Sequence, residues 1–213
     1  MSEARTKILS AIRHKTGEEH TAAAQRLQQH PRNTIPARVN QDLLPLFKKQ
    51  AEKVNAEIHE LAAEELQQTL ENYFASRKKL KIKISNPALL QKILWENINV
   101  EVSVGAAAID DSVSVTECFC AVAETGTLVM TSNQATPTTL NFLAETHIVI
   151  LDQSQIVGSY ENAFDQLRRL DSPPRSVNFI TGPSRTGDIE QKILIGAHGP
   201  RELIIFLICH PTV

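Results

Sequence analysis

A chain of 213 residues holds one good core with an added arm, whereas two full domains would be cramped. Hydrophobic residues at 42% and charged residues at 22% are ordinary for a globular protein, and a formal net charge of −2 gives no electrostatic case for nucleic acid or a membrane surface. No apolar run approaches the roughly 18–20 residues of a membrane span, and the polar N-terminal stretch cannot supply the apolar core of a secretory signal, so a cytoplasmic location is the default expectation.

Residues 2–29 read as a charged helix with a thin apolar stripe (Ile8, Leu9, Ile12, Leu27) interrupted near Gly17. His30-Pro31 through Pro36-Ala37 reads as a linker, because each proline removes a backbone donor and restricts the residue before it. Residues 1–38 are therefore expected to form a helical arm and linker, and residues 39–213 the main domain. From about 42 to 77, Phe47, Ala51, Val54, Ile58, Leu61, Leu66, Leu70 and Tyr73 recur at helical spacing, with room for a break and a short strand near Asn55. Leu80–Ile84 reads as a strand. Asn86 and Pro87 then suit the N-cap and first position of a helix over 87–96.

Further strands are expected at 97–105, 113–122 and 127–131, a short helix after Thr136-Pro137, and an apolar strand at 147–151. Ser159 is placed to cap a helix carrying Tyr160, Ala163, Phe164 and Leu167. A strand from Val177 runs into Gly182-Pro-Ser-Arg-Thr-Gly187, with a short helix next. Gly196-Ala-His-Gly-Pro200 then leads into the apolar run Leu203–Ile208. Strands alternating with short helices predict an α/β fold: an open, mostly parallel sheet with helices on both faces.

The three cysteines are Cys118, Cys120 and Cys209. On a single strand Cys118 and Cys120 would share a face, but a Cys-x-Cys pair without further ligands reads as two buried thiols and not as a metal site. No metal ligand set and no iron–sulfur cluster is expected in this chain.

Glycines, hydroxyls, one arginine and one histidine are concentrated on the two loops near the C-terminus. Free N–H groups at a strand-to-helix turn favour anions, and Arg185 could add a charge-assisted contact, with Ser184 and Thr186 beside it. Thr186 suits an N-cap, which puts Asp188 and Glu190 in the first turn. Those carboxylates would repel a multiply charged phosphate, so a singly charged carboxylate fits better. A capped helix with Arg185 in a structural salt bridge is the bland alternative.

Glu124, at a strand end before Thr125-Gly126, could act as a base or nucleophile if burial raised its pKa, or could simply fix its own loop. His198 lies between residues with little side chain to shield it. Acid–base work and hydrogen bonds to backbone carbonyls are both open to it.

Three segments taken together, Ala-Glu-Thr-Gly-Thr-Leu (123–128), Gly-Pro-Ser-Arg-Thr-x-Asp-Ile-Glu (182–190) and Gly-x-His-Gly-Pro (196–200), resemble the LUD-domain family, in its lactate utilisation C branch. The likeness runs from about 42 to 208. It implies a fold similar to that of sugar-phosphate isomerases and CoA transferases, and a part in oxidising L-lactate to pyruvate alongside two iron–sulfur subunits that carry the clusters. A small carboxylate would bind between the three loops, held by Arg185, Ser184, Thr125, Gly126 and Thr186, with Glu124 or His198 moving protons. Two other roles stay open: a non-catalytic scaffold or regulatory subunit, and a freestanding CoA-transferase-like or isomerase-like enzyme. The chain departs from the family pattern in lacking an arginine between Gln134 and Thr146, and in carrying Ala144 and Gly187 where proline and alanine are expected.

Overall fold

The computed structural model of the chain describes residues 3–14, 39, 42–75, 77, 80–98, 100–187 and 194–210. The chain divides into two units, Met1–Ala37 and Arg38–Val213. In the first, residues 3–14 form helix α1, steadied by a Glu3–Lys7 pair one turn apart.

The larger unit is built on six parallel strands: β1 (Glu57–Leu61), β2 (Lys81–Ile84), β3 (Glu101–Val104), β4 (Val113–Glu117), β7 (Thr146–Asp152) and β12 (Glu202–Ile208), in the order β1-β12-β7-β4-β2-β3. The central strands β7 and β12 are apolar almost throughout because both faces of the sheet are covered. Their side chains alternate between two cores. On one face Ile148, Ile150, Ile204 and Phe206 pack with Ile82, Val113 and Val115 beneath helix α3 (Leu66–Ala75), which contributes Leu66, Leu70 and Phe74 from a single stripe. On the other face Val149, Leu151, Leu203, Ile205 and Leu207 pack against helix α2 (Leu43–Lys53) through Phe47 and Ala51.

The second face carries an extra layer. Strands β5 (Cys120–Val122), β6 (Thr127–Thr131), β8 (Ile156–Val157) and β9 (Val177–Ile180) form a separate mixed sheet in the order β8-β5-β6-β9. Ala121, Leu128, Met130 and Ile156 share the α2 core, while Cys120, Val122 and Val129 face outward and pack with Ala163 of helix α4 (Tyr160–Leu167). Residues 113–122 are thus not one strand. The chain leaves the parallel sheet after Glu117, where Gln155 Nε2 donates to the Cys118 carbonyl at 2.7 Å and Phe119 N–H donates to Val129. Cys118 and Cys120 consequently belong to different clusters and do not share a face.

The long helical pattern of 42–77 divides at Asn55. The N–H groups of Asn55 and Ala56 return to the carbonyls of Glu52 and Ala51 at 2.9 and 3.0 Å, a Schellman closure with Asn55 at φ 67°. Strand β1 follows at once. The helix expected over 87–96 is absent; short 3-10 turns at Leu90–Lys92 and Trp95–Asn97 replace it. Side chains satisfy the backbone there. Glu117 Oε1 accepts from the N–H groups of Leu89 and Leu90 at 2.9 and 3.2 Å, and the Trp95 indole N–H donates to the Leu90 carbonyl at 3.1 Å. The strand expected over 97–105 is limited to β3, Glu101–Val104. Beyond Gly182, Arg185–Thr186 (β10) pairs with Leu194–Ile195 (β11) as a short antiparallel ribbon. The helix expected after Thr186, with Asp188 and Glu190 in its first turn, falls at residues outside those described.

Candidate functional site

Strand β9 delivers the chain to a turn at Gly182, whose φ of 75° favours glycine. A Cβ there would meet the carbonyl oxygen of Val54 at the end of α2. Beyond the turn, Ser184 N–H donates to the Pro200 carbonyl at 2.8 Å, and Gly196 N–H donates to the Ser184 carbonyl at 2.9 Å. These bonds and the β10–β11 ribbon tie the two glycine-rich loops together.

Between them lies a cavity of about 250 Å³. Ser184, Arg185 and His198 line it, with Asn141 and Phe142 from the stretch that lacks the expected arginine. Phe179 from β9 and Thr181 just beyond its end add a wall, and Phe179 is held against Tyr160 and Phe164 with ring centroids 5.4 and 5.6 Å away. His147 and Leu203, both buried, come from the central strands of the parallel sheet. Arg185 and His198 are exposed, so the cavity joins a charged, solvent-facing side to a buried one. No carboxylate among the described residues lies within ion-pair distance of Arg185.

The Glu-Thr-Gly turn does not line this cavity. Glu124 is half-buried, and its Oε1 accepts from Tyr160 N–H at 3.1 Å, which puts the carboxylate on the first turn of α4. Gly126, at φ 67°, packs on α2, where a Cβ would meet the backbone nitrogen of Ala51. Thr125 Oγ1 lies 2.7 Å from Thr127 Oγ1, and Thr127 Oγ1 lies 2.7 Å from Thr181 Oγ1. The turn therefore reaches the cavity wall through a chain of hydroxyls. Of the residues expected to act together, the fold gathers Ser184, Arg185 and His198; Thr186 stands beside them on β10; Glu124, Thr125 and Gly126 do not line the cavity, and Thr125 is linked to its wall through Thr127 and Thr181.

His147 is the residue that pattern reading passed over. Its imidazole is fully buried, with Nε2 2.9 Å from Thr116 Oγ1 on the adjacent strand β4, and burial pushes its pKa down to about 3. The ring is neutral at ordinary pH. An imidazole within an otherwise apolar parallel strand was the signal available. No group of three or more His, Cys, Asp and Glu side chains among the described residues could hold a metal ion. No helix among them is long and apolar enough to cross a membrane.

Residues 44–208 match the LUD domain family. The chain is 31% identical to lactate utilization protein C of Geobacillus sp. (strain WCH70), with 92% of each chain covered. It is 28% identical to lactate utilization protein C of Anoxybacillus flavithermus, over 91% of this chain and 94% of that protein. Among solved structures, a DUF162 family protein from Deinococcus radiodurans shares the fold, with a TM-score of 0.57 at 19% identity, over 78% of this chain and 96% of its own. The glycine loops, the six-stranded parallel sheet and the match over most of the sequence lead to one assignment: the chain belongs to the LUD-domain family.

Proposed function

We propose that this protein is a component of an L-lactate utilisation system, in which L-lactate is oxidised to pyruvate with iron–sulfur partner subunits, and that it binds a small monocarboxylate in the cavity between its two glycine-rich loops. The convergence of Ser184, Arg185 and His198 on that cavity carries the reading. The volume of about 250 Å³ lies below the roughly 300–1,000 Å³ of pockets for drug-sized ligands, which suits an acid of a few carbon atoms. Arg185 holds the carboxylate through charge-assisted hydrogen bonds, Ser184 adds a hydroxyl, and His198 stands where it can give or take a proton. The names of the relatives support lactate as the context.

In this reading Glu124 holds helix α4 instead of reaching the ligand, which removes the main support for a transferase that uses it as nucleophile. In this reading the electron-carrying clusters sit on the partner subunits, since the three cysteines of this chain fall short of the four thiolates that a cluster usually takes. Calorimetric titration of the full chain with L-lactate and with pyruvate tests the site. Arg185→Ala is expected to weaken binding at least about tenfold, the scale of one charge-assisted hydrogen bond. If neither acid binds the wild-type chain, or the variant binds as tightly, the site reading fails.

A further inference from the structure

We propose that His147 is the specificity-determining residue of this cavity, its Nδ1–H donating to an oxygen on the second carbon of the bound acid and so favouring 2-oxo acids over acids with no oxygen there. The inference rests on the carboxylate-site reading and adds the group that recognises the rest of the ligand.

His147 points to the same face of the sheet as Val149 and Leu151, the face covered by α2 and the smaller sheet. His147 is among the residues that line the cavity, as is Leu203, its neighbour in register on β12. One ring nitrogen is committed, because Nε2 faces the Thr116 hydroxyl at 2.9 Å. The other, Nδ1, is buried with no hydrogen-bond partner among the described residues. Buried polar atoms are rarely left in that condition, and such an atom on a residue that lines a cavity is a place for a ligand atom or an ordered water to make the missing bond.

The tautomer follows from the hydroxyl. Thr116 Oγ1 has one proton to donate, and His147 Nε2 is the partner it has among the described residues. Donation from Thr116 to Nε2 satisfies the hydroxyl and leaves the ring proton on Nδ1. The opposite assignment strands a buried hydroxyl proton, because Nε2–H would then occupy the oxygen as an acceptor only. Burial keeps the ring from taking a second proton near neutral pH. Nδ1 is thus a neutral donor, which calls for an acceptor oxygen. With the carboxylate at Arg185, the next acceptor on a 2-oxo acid is its keto oxygen. Ser114, opposite His147 in register on β4, likewise has a buried hydroxyl without a partner among the described residues.

Three measurements on the full-length protein test this. Long-range nitrogen–proton NMR of His147 should show the proton on Nδ1; a proton on Nε2 overturns the proposal. Pyruvate should bind about tenfold more tightly than propionate, and His147→Phe should bring that ratio near one while propionate affinity changes by less than about twofold. Thr116→Val, which frees the tautomer without touching the cavity, should also lower the ratio and covers the case in which His147→Phe does not fold. Addition of pyruvate should shift the Nδ1–H resonance; an unmoved resonance means that water alone occupies the position and overturns the proposal. If the wild-type chain binds neither acid, the site reading falls and this inference with it. If binding depends on Arg185 but the ratio is unchanged in both His147→Phe and Thr116→Val, only the present inference falls.

Discussion

Glu124 shows how one carboxylate can serve a helix while sitting in a sequence motif that suggests chemistry. Its oxygen accepts from the first N–H of α4 at 3.1 Å, and the same helix start is closed by Asn162 Oδ1, which accepts from the Ser159 N–H and hydroxyl at 3.2 and 2.8 Å. Unpaired N–H groups at a helix start carry partial positive charge, so a carboxylate there stabilises the helix. Glu124→Ala is expected to lower stability by about 1 kcal/mol, as for loss of a helix cap, while leaving pyruvate affinity within about twofold. Glu124→Gln keeps an acceptor and should lose less. Chemical denaturation and calorimetry on the same samples check both halves. A variant with unchanged stability and lost affinity would return this carboxylate to the ligand.

Among the elements, helix α2 organises the motifs although it contributes no residue to the cavity wall. Gly126 and Gly182 belong to different motif loops, yet both lean on its last turns at positive φ, where a Cβ would meet backbone atoms of Ala51 and Val54. Backbone atoms at a packed helix end cannot give way as a flexible side chain can. Gly126→Ala and Gly182→Ala are each expected to destabilise the fold by about 2–4 kcal/mol, from the left-handed conformation together with the clash. Urea unfolding that shows a lower midpoint at unchanged slope would confirm it; midpoints equal to wild type would contradict the docking.

The end of α2 was legible beforehand, since Asn tolerates the left-handed closure that a Schellman motif needs. The segment 87–96 was not. Asn86 and Pro87 do suit a helix start, but the carboxylate that satisfies Leu89 and Leu90 comes from Glu117, far along the chain. Local pattern carries no trace of a distant partner. The two-residue ribbon β10–β11 escaped for a related reason, because two pairs give too short an alternation to read.

At the scale of the whole molecule, the central parallel strands were readable because burial on both faces leaves an unbroken apolar run. The second sheet was not, because 113–122 alternates acceptably throughout and nothing in it marks the departure after Glu117. The convergence of Ser184, Arg185 and His198 depends on that layering, which sets β9 and its following loop above β7 and β12. The same layering seals His147, and sealing a histidine has a consequence for the stability of the entire fold.

Its pKa falls from 6.5 to about 3 on folding, because burial disfavours the charged ring. A folded value below the unfolded one means that the unfolded chain takes up a proton first. Stability from this group is therefore complete above about pH 6.5 and declines as pH falls toward 3. The decline is about 1.4 kcal/mol per pH unit, or about 2 kcal/mol by pH 5. Asp152 acts lower on the scale. Burial opposes its charge, but hydrogen bonds from Ser154 and His210 outweigh that and hold its pKa below 3.8, so its contribution fades only in more acid solution. Arg185 and His198 line the same cavity as His147. Unfolding free energies measured between pH 7 and 4.5 should fall with this slope in the wild-type chain and less steeply in His147→Phe. Equal slopes in the two proteins would show that the imidazole charges freely inside the fold, and that the cavity admits enough water to solvate it.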